Sequence, residues 1–474
     1  MQSHSAVEPD PGSIRKPASD AASPWPAFWI ASVAVFLVGL DTTMLFAAFG
    51  AVGATFAETS AADLSWVINA YSVVYAGMLI PAGSIADTHG RKKVFLFGVT
   101  LFLVASAGCG LAGSLAWLIA ARVLQAVGAA LLTPASLSII LAAFPQHKRS
   151  VAVGLWGAVG GLAAAIGPSL GSFVVDTVGW PWAFYLNLPL GALSLWRGAT
   201  LLEPDRRPHH RRDLDVVGML LLIAGVSAIA LSIVQSGAAH WTRAELAVAS
   251  ATGVVSLIGF VAWARVAQAP LVDLRLFHNR TYAFVNLATL TFGAAFTMMF
   301  FGYFYFLTDV WHYSLTRAGL AITPGPLLVM PVAILTGRLA ARVGHRPFLV
   351  GGGLVHAAGG LWFAWVVGSE PAYLSQWLPG LVLGGVGVGM VLPSLSAAAV
   401  NRLPADQYAV GSAVNQAIRQ IGSVLGVAFI VLMLGHGSLG RAEFSRPYAL
   451  QVALSILTAG LCLAVKTRPQ GSAP

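Results

Sequence analysis

Charge is scarce in this sequence: Asp, Glu, Lys and Arg make up 9% of its 474 residues, against roughly 25% in an ordinary soluble domain. With 57% hydrophobic residues, the chain cannot build the two or three soluble domains that its length alone would suggest. Cysteine is nearly absent. Cys109 and Cys462 both fall inside apolar runs, so they read as small packing residues and not as a disulfide. There is no GxxxxGK[ST] loop, no HExxH and no cluster of His and Cys ligands. ATP-driven pumping, metal catalysis and enzyme chemistry are excluded on that basis, and neither a metal nor a cofactor is expected. His278 and His356 stand alone.

What is present is a series of long apolar runs. A bilayer core about 30 Å thick takes about 20 apolar residues per helix, and a 19-residue window places fourteen such spans. They lie near 27–52, 64–86, 94–113, 115–143, 150–175, 182–202, 214–235, 246–265, 281–308, 316–341, 347–367, 376–400, 409–434 and 447–465. The fold class expected is an all-α integral membrane protein with fourteen transmembrane helices.

The formal charge is +9, but the basic residues sit in short turns between spans, which speaks for topology and against nucleic acid. Arg122, Arg197 and Arg419 lie within spans; Arg243, Arg317, Arg441 and Arg446 fall on one side, and the remaining 20 of the 27 Lys and Arg on the other. The excess marks the cytoplasmic side, so both termini are expected there, in a multi-pass protein of the cell inner (plasma) membrane. The sequon at Asn279 falls on the cytoplasmic side and carries no glycan in this reading. Residues 1–24, rich in Ser, Pro and Ala, read as a disordered cytoplasmic tail without signal-peptide features. Trp66, Trp180, Trp182, Trp241, Trp311 and Trp377 fall near span ends, where interfacial aromatics belong.

An internal repeat adds a second level of organisation. Gly83-Ser-Ile-Ala-Asp-Thr-His-Gly90 echoes Gly337-Arg-Leu-Ala-Ala-Arg-Val-Gly344; Val127-Gly128 with Pro134 and Ser-Leu-Ser echoes Val386-Gly387 with Pro393 and Ser-Leu-Ser; Ile166-Gly167 with Gly171 echoes Ile421-Gly422 with Gly426. The three echoes keep their order at offsets of 254, 259 and 255 (337 − 83, 387 − 128, 422 − 167). The expected layout is a six-helix half at 25–205, two inserted helices at 206–270, a second six-helix half at 271–466 and a cytoplasmic tail at 467–474.

The stretch GSIADTHGRKKVF, residues 83–95, concentrates charge in the turn between the second and third spans. Its residues Gly83, Ile85, Ala86, Asp87, Gly90, Arg91 and Lys92 resemble motif A of the major facilitator superfamily. Gly157 to Gly161, Gly167-Pro168 and Gly171 resemble its motif C, the antiporter signature; Arg122-Val-Leu-Gln125 with Gly128 resembles motif B. Leu40-Asp41-Thr-Thr43, Asp213-Leu-Asp215 with Gly218, Pro270 to Phe277, and Arg419-Gln-Ile-Gly422 resemble stretches of the fourteen-span drug:proton antiporter branch. The resemblance covers essentially the whole chain. It implies a proton-coupled exporter of lipophilic small molecules, driven by the proton gradient and working by alternating access. The alternatives are a transporter of the same superfamily dedicated to an endogenous metabolite or lipid, or an importer. The partners implied are membrane lipid, protons and a small lipophilic substrate, on a monomer. In the family, motif A latches the cytoplasmic side (Gly83, Asp87, Gly90, Arg91 here), and motif C seals the outside (Gly161, Gly167, Pro168, Gly171 here).

The residues themselves single out two charges. Asp41 is the acidic residue deep in a span, ~10 Å from the outer face at ~1.5 Å rise per residue, and Arg122 lies at matching depth. Intramembrane charge is costly and marks function, so the two read as partners. Two roles are open: a proton site at Asp41 tuned by Arg122, or a buried structural ion pair. The family resemblance implies the first. Arg419, ~16 Å into its span, has Asn415 and Gln416 one turn away; it either faces a substrate cavity or satisfies carbonyls of neighbouring helices. Tyr71 and Phe300 are candidate pocket residues, although aromatics at helical spacing more often pack in the core. Departures from the family patterns are Thr88, Ser172, Phe46, Gly50 and Pro181. The tenth and thirteenth spans carry no acidic residue, which turns the expectation away from multivalent cations and toward neutral, zwitterionic or singly charged lipophilic substrates.

Overall fold

The computed structural model describes residues 23–145, 148–203, 214–236, 241–401, 403, 407–434 and 440–467. Among them every regular element is helical. That is what apolar sequence demands in a bilayer, where backbone groups find no water and must bond within their own helix. Thirteen helical segments are long and apolar enough to cross a membrane. The first group comprises α1 (Trp25–Thr55), α2 (Ala61–Leu64), α3 (Trp66–His89), α4 (Arg91–Gly110), α5 (Leu115–Ala143), α6 (Arg149–Val178), α7 (Pro181–Tyr185) and α8 (Asn187–Leu201). A hairpin of α9 (Val216–Gln235) and α10 (Arg243–Val266) follows. The second group comprises α11 (Arg280–Tyr305), α12 (Leu315–Ile322), α13 (Pro324–Val343), α14 (Arg346–Trp365), α15 (Leu378–Val400), α16 (Tyr408–Leu434) and α17 (Ser445–Leu463).

The count differs from the fourteen expected because of the sixth expected span, 182–202. Its two helices α7 and α8, of 5 and 15 residues, run on through Leu186, whose dihedrals stay helical (φ −61°, ψ −24°). The stretch carries Asn187, Pro189 and Arg197 and is less apolar than the other thirteen.

Helix packing in the two groups has the same pattern. Pairs α4/α5, α1/α6, α3/α5, α4/α8 and α1/α8 pack in the first; α14/α15, α11/α16, α13/α15, α14/α17 and α11/α17 pack in the second. Contact between the groups runs through α3 with α16 and through α6 with α12 and α13, while α9 packs against both α3 and α16. Small residues make the closest crossings. A Cβ on Gly128 of α5 would lie 2.6 Å from the Phe102 nitrogen of α4, and one on Gly387 of α15 would lie 2.7 Å from the His356 nitrogen of α14. Only a single residue, Gly90 at φ +95°, separates α3 from α4, and Gly344 at φ +84° follows α13 before α14. Both are left-handed conformations that favour glycine, so these turns can be this tight.

Several tryptophans differ from expectation. Trp180, Trp311 and Trp377 are buried, and Trp182 is exposed. Trp311 and Trp377 join Tyr303, Phe306, Phe363, Phe444 and Tyr448 in an aromatic cluster at one end of the second group. Ring-on-ring packing within the protein outcompetes the interface there.

Candidate functional site

The Leu40-Asp41-Thr-Thr43 stretch lies mid-helix in α1, with Asp41 2% exposed. Arg122, 1% exposed, reaches it from α5: its Nη1 donates to Asp41 Oδ2 at 2.6 Å, and its Nε to the Val67 carbonyl at 3.0 Å. Gln125, one turn further along α5, completes the circuit. Its Nε2 donates to Asp41 Oδ1 and to Ser106 Oγ, both at 2.8 Å, while its Oε1 accepts from Arg122 Nη1. Only this amide orientation satisfies both ends, because the opposite one would aim oxygen at the carboxylate. Asn187 donates to the same Oδ1 at 3.1 Å. It is the first residue of α8, so the sixth expected span delivers an amide to the acid. The guanidinium also lies over the Tyr71 ring, 4.0 Å from its centroid, and 5.8 Å from that of Phe184. A buried ion pair needs this kind of support, since Coulomb attraction alone barely offsets desolvation of the two charges.

Asp41 and Arg122 are thus brought together as sequence reasoning paired them, and Tyr71, named there only as a candidate pocket residue, joins them. Gln125, Ser106 and Asn187 were missed in this role. Gln125 had a signal, its one-turn spacing from Arg122 within the same quoted motif. Ser106 and Asn187 had only their polarity inside apolar runs.

The second set is less unified. Asn415 is buried, and its amide donates to Asn286 Oδ1 at 3.0 Å and Thr289 Oγ1 at 2.9 Å on α11. Its donors tie two helices together instead of standing open to a ligand. Gln416 and Arg419 are half-buried and lie within electrostatic reach of the Tyr75 hydroxyl on α3. Tyr75 stacks on Tyr71, with centroids 5.8 Å apart and 13° between planes. Phe300 sits apart, packed against Phe46 of α1 at 5.4 Å.

The small-residue face of α6 meets α1. A Cβ on Gly171 would lie 2.9 Å from the Met44 Cα, and one on Gly167 would collide with Thr43 Oγ1. Gly161 and Gly157 do not share this contact, because a Cβ on either would meet nothing within 4 Å. They lie outside the close crossing expected of them.

Comparison with known proteins settles what such a bundle is. A family model described as the Major Facilitator Superfamily matches residues 31–427. The chain belongs to that superfamily.

Its relatives include an MFS-type transporter of Mycobacterium tuberculosis, 36% identical over 86% of this chain and 69% of the relative. The multidrug resistance protein Stp of the same species is 34% identical over 84% of this chain and 73% of its own. The cephamycin export protein CmcT of Amycolatopsis lactamdurans is 32% identical over 94% of both. The chain is accordingly a multi-pass membrane transporter of the Major Facilitator Superfamily, a family of transporters and not of enzymes.

Within that superfamily three of its departures, Ser172, Phe46 and Thr88, make local contacts of their own, and nothing in the structure explains Gly50 or Pro181. Ser172, where motif C usually has glycine, faces Gly319 of α12; a Cβ on Gly319 would collide with Ser172 Oγ and the Pro168 carbonyl. The bulk moved from glycine to serine on α6 is matched by glycine on the opposing helix. Close by, Asp176 Oδ2 accepts from Thr316 Oγ1 at 2.7 Å, joining α6 to α12. Phe46, in place of the usual asparagine, fills the α1–α11 contact, and Thr88, in place of arginine, bonds its hydroxyl to the Ser84 carbonyl at 3.0 Å.

The motif A stretch places Gly83 and Asp87 in α3 and Arg91 at the start of α4; the side chain of Asp87 lies outside the described residues. Lys92 donates to the Ala199 and Leu202 carbonyls, at 2.8 and 2.6 Å, at the C-terminal end of α8. A cation is favourable where unpaired carbonyls end a helix. The Asp215 and Pro270 stretches also meet. Asp215 caps α9 through the Gly218 nitrogen and accepts from Trp263 Nε1 and the Leu271 nitrogen, each at 2.7 Å. That one carboxylate closes the α9–α10 hairpin. Beyond it Arg275 hydrogen-bonds Asp273, holding that carboxyl below its ordinary range.

Proposed function

We propose that this chain is a proton-coupled antiporter that exports lipophilic small molecules by alternating access. The observation that carries the reading is the Asp41–Arg122 pair, buried at 1% side-chain exposure on both partners and surrounded by neutral donors. A charge pair so far from water is expensive, and replacing it with apolar residues would be the cheaper way to build a bundle. Its chemistry suits proton carriage. Oδ2 takes only the guanidinium, while Oδ1 takes two amides, so a proton arriving at Oδ2 replaces Arg122 and frees that side chain to move. The printed names of relatives support the export direction: multidrug resistance, cephamycin export, and tetracenomycin C resistance and export.

In this reading the chain crosses the cell membrane fourteen times, with α7 and α8 together forming the sixth crossing and both termini cytoplasmic. It works as a monomer of two six-helix units, 25–205 and 271–466, with 206–270 inserted between them. The matched packing pairs of the two helix groups support that division. The units rock about a midplane site. Gly167, Pro168 and Gly171 serve the outer closure, and Gly83, Asp87, Gly90 and Arg91 the cytoplasmic latch.

The test uses purified protein in liposomes carrying a pH gradient, with lumenal pH followed while cephamycin, tetracenomycin C and lipophilic cations are added singly. Substrate-triggered proton movement in the wild type that disappears in Asp41→Asn is expected. Proton-coupled transport retained by Asp41→Asn overturns the assignment of the carrier residue, and proton movement with no compound overturns antiport. Asp87→Asn is expected to slow transport without abolishing proton binding; unchanged rates would remove the latch.

A further inference from the structure

Arg419 lies in the middle of α16, eleven residues from its first residue Tyr408 (419 − 408), or about 16 Å along the helix axis at ~1.5 Å per residue. Arginine does not give up its proton in proteins, so this position keeps its charge, and a charge at that depth requires a partner. Among the described residues the ion pairs are Asp41 with Arg122 and Asp273 with Arg275. Asp41 is already engaged by Arg122, Gln125 and Asn187. After Asp309 the remaining acids of the chain are Glu370, Asp406 and Glu443. Glu370 falls between helices and Glu443 in the short turn before α17; Asp406, the nearest in sequence to Arg419, precedes it by thirteen residues and lies outside the described residues. What surrounds Arg419 is polar but neutral. Gln416 lies one turn away, and Tyr75 across the α3–α16 seam already donates its own hydroxyl proton to Thr133 Oγ1 at 3.2 Å. Neither neighbour carries a charge that would neutralise the guanidinium. The seam is also where the two helix groups meet, the place at which an alternating-access transporter holds its cargo.

We infer that the missing partner of Arg419 is the cargo itself: the substrate class is lipophilic anions, an apolar ring body bearing a carboxylate or phenolate that the guanidinium binds with charge-assisted hydrogen bonds. This rests on the export reading above for the direction of transport, but not for the binding. Arg419 with its fork of donors selects planar oxyanions, and the same charge repels cationic drugs.

The test is equilibrium binding to the purified protein without any proton gradient, using three probes that share one ring: naphthalene-2-acetate, its neutral amide and (2-naphthylmethyl)trimethylammonium. The acetate is expected to bind at least tenfold more tightly than the other two. Arg419→Gln should erase that preference, and Arg419→Lys should keep part of it, because lysine retains the charge but loses the planar fork. Failure of the acetate to bind, equal or tighter binding of the amide or the ammonium, or a preference that survives Arg419→Gln would overturn the proposal. If Arg419→Gln yields no folded protein, Arg419→Lys decides: undiminished preference for the acetate overturns the proposal, partial loss supports it. Exchange of chloride for gluconate at constant ionic strength separates an organic from an inorganic anion site. Acetate affinity recovered fully by removing chloride, with no dependence on the ring, would make the site an inorganic one and overturn the proposal. Arg419-dependent anion binding without proton-driven export would sink the export reading alone. Asp41-dependent export of cations would sink the substrate class alone.

Discussion

Two neighbourhoods of this transporter have the same helix packing and opposite electrostatics. Around α4 and α5 the close crossing at Gly128 presses on Phe102, and the space above it holds Asp41, Arg122, Gln125, Ser106 and Asn187. Around α14 and α15 the equivalent crossing at Gly387 presses on His356, and the polar groups nearby are neutral: His356 with Ser455, and Thr291 with Thr458. The crossings have to match, since both helix pairs approach to backbone contact. The charges do not have to match, because hydrogen bonds between hydroxyls hold a helix pair at far lower desolvation cost than an ion pair. The difference teaches that this helix packing can be built without buried charge, which supports the role proposed for the pair in the first neighbourhood.

The largest effect should come from breaking the ion pair. Arg122→Leu leaves Asp41 buried and uncompensated, and removal of one partner of such a pair costs about 3–5 kcal/mol. Thermal unfolding of the solubilised protein should show it, with Asp41→Asn/Arg122→Leu recovering much of the loss. A single mutant as stable as the wild type would mean that the pocket admits water freely and that the contrast between neighbourhoods is shallow.

The crossings come next. Gly128→Val and Gly387→Val each push branched side chains into backbone atoms about a van der Waals radius away, and overpacking typically costs about 1–3 kcal/mol. Similar penalties at the two sites would support the internal repeat; a tolerated Gly387→Val would break it. Between the groups, Gly319→Ala should cost about 1–3 kcal/mol by the same mechanism, and Ser172→Gly should relieve part of it by removing the hydroxyl, the collision with the Pro168 carbonyl remaining. A double-mutant cycle reads the coupling, and additive effects would show that α6 and α12 separate easily.

The legibility of these features follows from their physics. Apolar runs mark membrane helices because the bilayer sets both length and composition, so α1, α5 and α11 stand out at once. The sixth span was harder, since Asn187, Pro189 and Arg197 dilute its apolar run; nothing in a hydropathy window registers that a buried carboxylate takes up the Asn187 amide. Asp41 and Arg122 were legible because charge is so scarce that two opposite ones at one depth find each other. Ser106 was not, since a lone serine in an apolar helix usually bonds its own backbone. Gly161 and Gly167 look identical in sequence, and only the rotation of α6 against α1 separates the one in contact from the one outside it. Trp311 and Trp377 misled for a related reason: position along a helix axis is readable from sequence, but which side faces lipid is not.

The smallest effect belongs to the second neighbourhood. Ser455 Oγ lies 2.7 Å from the Gln451 carbonyl and 2.8 Å from His356 Nδ1. Whichever of the two donates in the contact between Ser455 Oγ and His356 Nδ1, the Nε2 of His356 is buried without a partner. His356→Phe puts at this position the residue found at the matching crossing, Phe102, and removes a bond together with an orphaned ring nitrogen. Such exchanges are close to neutral, so a change within about 1 kcal/mol in thermal unfolding and unaltered proton-coupled export are expected. Loss of proton coupling in His356→Phe would show that the second neighbourhood also carries a proton, and the division of labour between the two halves would have to be abandoned.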